Sequence, residues 1–333
     1  MRKPPPRVPG CIHRRDVLRA LGAALGTVAG QRIVTALEPS MIDEPWSAGG
    51  LAGSFARPAA GPPRGPAALI VAGSGPTPRD GGFGTYRQLA QGLAAAGIRS
   101  LRYDKRGVGE SRALVTREDD LVVQHFADDV VTAARDLAAR RDVSAVVLIG
   151  HSEGALLVTL AAAKLVVAGI ILMAGPGRRL DAVLREQLLA LPLPPGEEHF
   201  RKEAFDILDR LAKGERVPDA APALAALFRP SVQPFLISMF AVDPAGEFAR
   251  SAVPALVVQG ASDIQVTRAD FDALAKARPD ARTLLLPDTN HVFKAAPADL
   301  SDRAAQLKSY DPDAPLVPAL VPALVAFIRS AAP

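Results

Sequence analysis

The stretch Ala145-Val146-Val147-Leu148-Ile149-Gly150-His151-Ser152-Glu153-Gly154-Ala155-Leu156-Leu157 decides how the rest of the chain is read. Residues 145–149 are apolar throughout and rich in Val, as a strand buried on both faces must be. After Gly154 the composition shifts to Ala and Leu, which suits a buried helix. Between the two stands the pattern G-x-S-x-G. A strand that turns sharply into a helix forces its central residue into a strained backbone conformation, and Gly150 and Gly154, two before and two after, prevent clashes there. Ser152 Oγ is thereby exposed at the carboxyl edge of the strand. The following helix directs its N-terminal N–H groups at the same point, where negative charge develops during acyl transfer. The pattern predicts a nucleophilic serine on a strand–turn–helix unit.

Outward from this unit, short runs rich in Val, Ile and Leu alternate with longer helical patterns. Strands are expected over 67–72, 98–103, 145–149, 168–173, 255–259 and 283–286, and helices over 85–96, 124–140, 154–164, 268–277 and 318–329. This is the rhythm of an α/β fold whose mostly parallel, doubly wound sheet is covered on both faces. Residues 49–57 suit an antiparallel edge hairpin. The run 155–175, almost wholly apolar, is long enough for a membrane span but reads as a helix followed by a strand. The rhythm breaks once. About 80 residues between the strands near 173 and 255 carry helical patterns (178–191, 197–213, 221–228) and no strand, which predicts an inserted helical subdomain. Six of the twelve Phe residues fall here (Phe200, Phe205, Phe228, Phe235, Phe240, Phe248), suited either to a small core or to an apolar wall facing a substrate.

A serine hydroxyl needs a base to take its proton and a carboxylate to hold that base. Of the five histidines, only His291 lies beyond the helical insertion, in Asp288-Thr289-Asn290-His291-Val292-Phe293-Lys294 just after the last strand. His151 sits inside the G-x-S-x-G turn, His125 opens a helix, His199 falls in the insertion and His13 near the N-terminus. The acid is expected after the preceding strand, where Gln259-Gly260-Ala261-Ser262-Asp263-Ile264-Gln265-Val266 supplies Asp263. Asp270 and Asp272, in the next helix, are expected to face solvent.

With these residues in place the chain resembles an α/β-hydrolase, with the chain order nucleophile, acid, histidine. It is similar within that superfamily to bacterial esterase-like enzymes carrying Gly73-Ser74-Gly75-Pro76-Thr77 with Arg79-Asp80-Gly81, Arg102-Tyr103-Asp104-Lys105-Arg106-Gly107-Val108-Gly109, the His-Ser-Glu-Gly turn, Asp263-Ile264-Gln265-Val266 and Asn290-His291. The resemblance implies an oxyanion hole made by the backbone N–H groups of Glu153 and Ser74. Asp80, Asp104 and Arg106 are expected to brace loops. A serine at the nucleophile position disfavours the haloalkane dehalogenases and epoxide hydrolases of this fold, which use aspartate. The implied activity is hydrolysis of small or medium acyl esters through an acyl-enzyme, with no cofactor or metal. A thioesterase or serine peptidase would use the same triad, and a non-catalytic binding protein would keep the fold alone.

The formal net charge of +4 over 333 residues hints at an anionic partner until the charges are located. Residues 1–36 carry seven basic groups against Asp16, leaving 32 basic and 34 acidic groups in the remainder. No basic cluster, zinc-finger spacing or RNA-binding aromatic motif stands on the working domain, so nucleic acid is not expected. The excess sits in His13-Arg14-Arg15-Asp16-Val17-Leu18-Arg19 and a weakly apolar stretch ending near Gly30, which resembles a twin-arginine signal peptide. That stretch is too short to span a membrane. Val34-Thr35-Ala36 offers a cleavage site, with Ala29 as a second possibility. The single Cys, Cys11, lies within this leader and precedes its apolar stretch, which fits neither a disulfide nor a lipid anchor. The expected organisation is a leader over 1–36 read by the twin-arginine export machinery, hydrolase core over 37–177 and 251–333, a helical cap over 178–250, and a periplasmic or secreted location.

Overall fold

In the computed structural model, which describes residues 41–191, 193 and 195–332, eight strands form one sheet in the order β1-β2-β4-β3-β5-β6-β7-β8. The leader expected over 1–36, with Arg14, Arg15 and Cys11, lies outside the described residues. The strands are β1 (Met41–Ala48), β2 (Leu51–Pro58), β3 (Gly65–Val71), β4 (Arg99–Tyr103), β5 (Val143–His151), β6 (Gly169–Met173), β7 (Ala255–Gly260) and β8 (Arg282–Leu286). β1 and β2 are antiparallel to their neighbours, and every pairing from β4 to β8 is parallel. The hairpin expected over 49–57 begins earlier, at Met41. Trp46 alone is buried in β1, so this edge strand carries little hydrophobic signal. Gly49 and Gly50 turn it with φ of 58° and 83°, the pair of left-handed residues that matches strand twist in a two-residue hairpin.

Alternation along the parallel strands sends side chains to two separate cores. Leu69, Val71, Leu148, Ile170, Leu172 and Val257 pack beneath α2 (Val123–Ala139), α3 (Glu153–Ala162) and α9 (Arg268–Ala277). Ala68, Ile70, Ile149, Ile171, Met173 and Val258 pack beneath α1 (Thr85–Ala95) and α11 (Leu320–Ala331). The apolar run 155–175 divides into α3 and β6, as its change in composition requires.

Between β6 and β7 lie α4 (Leu180–Ala190), α5 (Glu198–Leu211), α6 (Ala225–Phe228), α7 (Gln233–Phe240) and α8 (Pro244–Arg250). A short α10 (Arg303–Lys308) follows β8. α7, α8 and α10 carry no clear stripe in the sequence: α7 is apolar on most sides, and the other two are under eight residues long. By length and composition Pro222–Phe240 would pass for a membrane span, but it is broken at Arg229 and Pro230 into separate short helices. Phe228, Phe240 and Phe248 are fully buried in the core that continues from the sheet, whereas Phe235 meets Phe126 edge-on at 5.2 Å and lines a cavity. Phe228, Phe240 and Phe248 thus join the main core instead of forming a separate small one.

One expectation is corrected. Asp272 is exposed and pairs with Arg268, but Asp270 is fully buried. Its carboxylate accepts the backbone N–H groups of Gly177 and Arg178, both at 3.1 Å, and two bonds from the Arg178 guanidinium. It ties the segment leaving β6 to α9. The reason is helical phase: Asp270 lies on the face that α9 turns inward, beside Phe271 and Leu274.

Candidate active site

Ser152 joins β5 to α3 with φ 56° and ψ −124°, a backbone conformation that L-residues rarely adopt. Its neighbours show what permits this. A Cβ on Gly150 would lie 2.2 Å from the Gly154 carbonyl oxygen, and one on Gly154 would lie 2.4 Å from that of Val71. Both glycines mark close backbone approach. Ala174, Asp288 and Phe293 also have positive φ, so all four such non-glycine residues described sit at or just past the carboxyl ends of β5, β6 and β8. Strain gathers along one edge of the sheet.

Asp263 follows β7 and His291 follows β8, and the two meet there: His291 Nδ1 and Asp263 Oδ2 are 2.7 Å apart, both nearly inaccessible to solvent. The carboxylate is saturated. Its Oδ1 accepts the N–H groups of Gln265 (2.7 Å) and Val266 (3.0 Å), and Oδ2 also accepts Gln259 Nε2 (2.9 Å). The His291 loop is held by Asn290, whose Oδ1 accepts the N–H groups of Val292 and Lys294 while its amide donates to Ser309. Ser152, His291, Gly73, Ser74 and Glu153 line one cavity of about 360 Å³. Among the described residues Ser152 Oγ makes no hydrogen bond, so its hydroxyl is open to this cavity. Ser74 is exposed at the rim and Glu153 is buried.

The model of the alpha/beta hydrolase family matches residues 68–306. The chain belongs to this family. Esterase EstD of Thermotoga maritima is 32% identical over 238 residues, covering 68% of this chain and 54% of that protein, so the match spans about half of the relative's length. Est1E from Butyrivibrio proteoclasticus, solved with ferulic acid bound, aligns with a TM-score of 0.57 at 16% identity, over 86% of this chain and 96% of that one. The α/β hydrolase GrgF from Penicillium sp. sh18 gives 0.55 at 18% identity, over 87% and 98%. At such identities the structural likeness concerns the fold.

In this α/β hydrolase the sequence motifs also conceal a buried network that residue types alone did not reveal. The Gly73 N–H donates to Tyr86 Oη at 3.0 Å, Tyr86 Oη lies 2.9 Å from His151 Nδ1, and His151 Nε2 lies 2.9 Å from the His291 carbonyl. A carbonyl can only accept, so Nε2 carries the proton and Nδ1 accepts the tyrosine hydroxyl. The chain of bonds links the loop after β3, the turn after β5 and the loop after β8. Burial, with the His291 imidazole nearby, pushes His151 down to about 3, so the ring stays neutral. Burial likewise raises the Tyr86 phenol, which stays protonated and able to donate. Nothing in the sequence distinguished His151 from a bystander, because its partners come from residues 65 and 140 positions away.

The charged motif residues sit outside this network. Arg79 grips Asp104 through two nitrogens, and its hydrogen bonds overcome burial to hold the Asp104 carboxyl below the usual range. Arg102 spans Asp43 and Asp80, and Arg106 pairs with Asp129. Lys105 is different. It is buried, and its ammonium donates to the Gly73 carbonyl at 2.9 Å and to Glu153 Oε1 at 2.6 Å.

A second cavity of about 490 Å³ adjoins the first, sharing Ser74, Pro76, Glu153, Leu180 and Leu184. Its walls include Val108, Leu121, Phe126, Val232, Phe235 and Leu236. Among the described residues no group of three or more His, Cys, Asp or Glu stands at metal-binding distances.

Proposed function

We propose that the chain is a serine carboxylesterase acting on small or medium acyl esters. The observation that carries this reading is the His291–Asp263 bond beside a serine in a strained strand–helix turn, with Ser152 and His291 lining one cavity. Asp263, saturated by four donors, holds His291 with Nδ1 protonated and Nε2 free to act as base. His291 takes the Ser152 proton as Oγ attacks the ester carbonyl. The resulting oxyanion is held by the N–H groups of Ser74 and Glu153, an arrangement in which one lost donor costs about 100-fold or more in kcat. Collapse breaks the bond to the leaving oxygen, which takes the proton from His291. Water, deprotonated by the same imidazole, then releases the acid and restores Ser152. The resemblance to a protein named an esterase supports ester over other carbonyl substrates.

The two adjoining cavities support a bipartite substrate, with the larger, apolar one as the seat for the acyl chain and α4, α6 and α7 as its cover. The leader supports export: Arg14→Lys with Arg15→Lys is expected to retain the protein in the cytoplasm, and unchanged export in a cell fractionation would defeat that part of the reading.

The test of the reaction is a panel of p-nitrophenyl esters from acetate to palmitate, with matched thioester and aminoacyl-anilide substrates, run against Ser152→Ala. Ester turnover is expected to exceed that of the variant by roughly 10⁴-fold or more, with thermal stability nearly unchanged. Ester rates equal to the variant's, with clear thioester or anilide cleavage, would move the assignment to a thioesterase or peptidase. Silence on every substrate would favour a binding protein.

A further inference from the structure

The loop that follows β3 is pinned at two consecutive peptide groups. Tyr86, from α1, accepts the N–H of Gly73, and Lys105, just past β4, donates to the carbonyl of the same residue. The Gly73 carbonyl and the Ser74 N–H belong to one planar peptide unit in which they point in opposite directions. Fixing the oxygen therefore fixes the N–H. This matters because Gly73, with no Cβ, directly precedes that plane, and a peptide plane next to a glycine rotates at little steric cost.

The ammonium that does the fixing is itself fully engaged. It lies 2.6 Å from Glu153 Oε1 and 4.9 Å from the centre of the Phe126 ring, and both charged residues are about 95% buried, with 5% and 3% of their surface exposed. Glu153 is the residue after Ser152, so one lysine joins the side chain of one proposed oxyanion donor to the peptide plane of the other. A buried cation bonded to a carbonyl also polarises that peptide, which makes its N–H a stronger donor. Lys105 lines the larger cavity but not the smaller one that holds Ser152 and His291.

We propose that Lys105 is a positioning residue for the oxyanion hole: through the Gly73 carbonyl it sets the direction and strength of the Ser74 N–H, with Glu153 as its buried counter-charge. The assignment rests on the serine-esterase reading of the same site. Lys105 acts through the peptide and not as a base, since its donors go to Gly73, Glu153 and the Phe126 face. It also explains why a lysine is spent on an ion pair in the interior, where such pairs contribute little to stability by themselves.

The decisive variant is the double substitution Lys105→Met with Glu153→Gln, which removes the carbonyl donor without leaving a lone buried carboxylate. On p-nitrophenyl butyrate, kcat is expected to fall on the order of 100-fold with KM within about twofold, because the lost interaction strengthens only as the oxyanion forms. Affinity for an alkylboronic acid, whose adduct mimics the tetrahedral intermediate, is expected to weaken by a similar factor. A fluorophosphonate probe should still label Ser152 to completion. A kcat within threefold of the unaltered protein, with full labelling, would overturn the proposal and reduce Lys105 to neutralising Glu153. Lys105→Arg, which keeps both a donor and the counter-charge, covers the case of a double variant that does not fold. It is expected to keep at least tenfold more kcat than single Lys105→Met, and equal losses would overturn the proposal. Unaltered protein that takes up no probe would bring down the esterase reading and this assignment together.

Discussion

Around the smaller cavity the proposed reacting groups come from the carboxyl ends of strands, whereas most of the apolar wall of the larger one comes from helices and short turns. Ser152, Asp263 and His291 follow β5, β7 and β8, three parallel strands whose spacing the sheet fixes. Their orientation is then locked by bonds to backbone groups and to Gln259, Asn290 and His151. The charged residues of the larger cavity are each held in an ion pair, Lys105 with Glu153, Arg229 with Glu118, and Arg106 with Asp129 of α2 behind the wall. What remains as lining is mostly aliphatic and aromatic. Reaction geometry needs positions fixed to a fraction of an ångström, which a hydrogen-bonded sheet supplies. Recognition of an alkyl or aryl group needs shape and apolar area, which packed helix side chains supply and can vary without disturbing the sheet.

The contrast breaks most sharply at Asp263. Asp263→Asn keeps the shape but cannot hold His291 in the required tautomer, and kcat is expected to drop on the order of 10⁴-fold. The drop should be equal for acetate and octanoate esters in a steady-state comparison; a drop that depends on chain length would mean the two cavities do not divide chemistry from recognition. Leu236→Trp addresses the other side. By filling part of the 490 Å³ cavity it is expected to lower kcat/KM for octanoate relative to acetate by about 10- to 100-fold, the range one or two misplaced methylenes command. An unchanged ratio would remove this cavity from the acyl path.

The smallest effect sharpens the account of the network behind the smaller cavity. His151 is held down to about 3 in the folded chain against 6.5 for a free imidazole, so the unfolded state binds more protons between those values. Its contribution to stability is complete above pH 6.5 and is lost as the pH falls towards 3, with a limiting slope of about 1.4 kcal/mol per pH unit. His151→Gln keeps an acceptor for Tyr86 and a donor for the His291 carbonyl but cannot titrate. Urea unfolding of the two proteins from pH 7 to pH 4 should give curves that diverge by this component. Parallel curves would mean that His151 takes up protons equally in both states.

Much of the frame was legible because periodicity is a local property. The apolar runs that became β3, β5, β6 and β7 declare burial on both faces, and the G-x-S-x-G spacing encodes a steric demand that a Cβ at Gly150 or Gly154 would violate by more than half an ångström. β1 stayed faint because an edge strand with one buried side chain needs no alternation, and α7 because a helix covered on several sides shows no stripe. Asp270 was misjudged for a related reason. Spacing places a carboxylate on a helix, but only the packed neighbour decides whether that face meets water or the Arg178 guanidinium.

The sequence by itself determined the fold class, the serine turn and the identity of the candidate acid and base, because these rest on short-range pattern and on chain order along a parallel sheet. Tertiary structure alone decided that His291 meets Asp263 across 28 residues, that His151 and Tyr86 brace three loops, and that Lys105 holds the Gly73 carbonyl from 32 residues away. The physical reason is that a hydrogen bond acts over about 3 Å. Which donor finds which acceptor at that range is set by how distant segments pack, and packing is written in no single stretch of the chain.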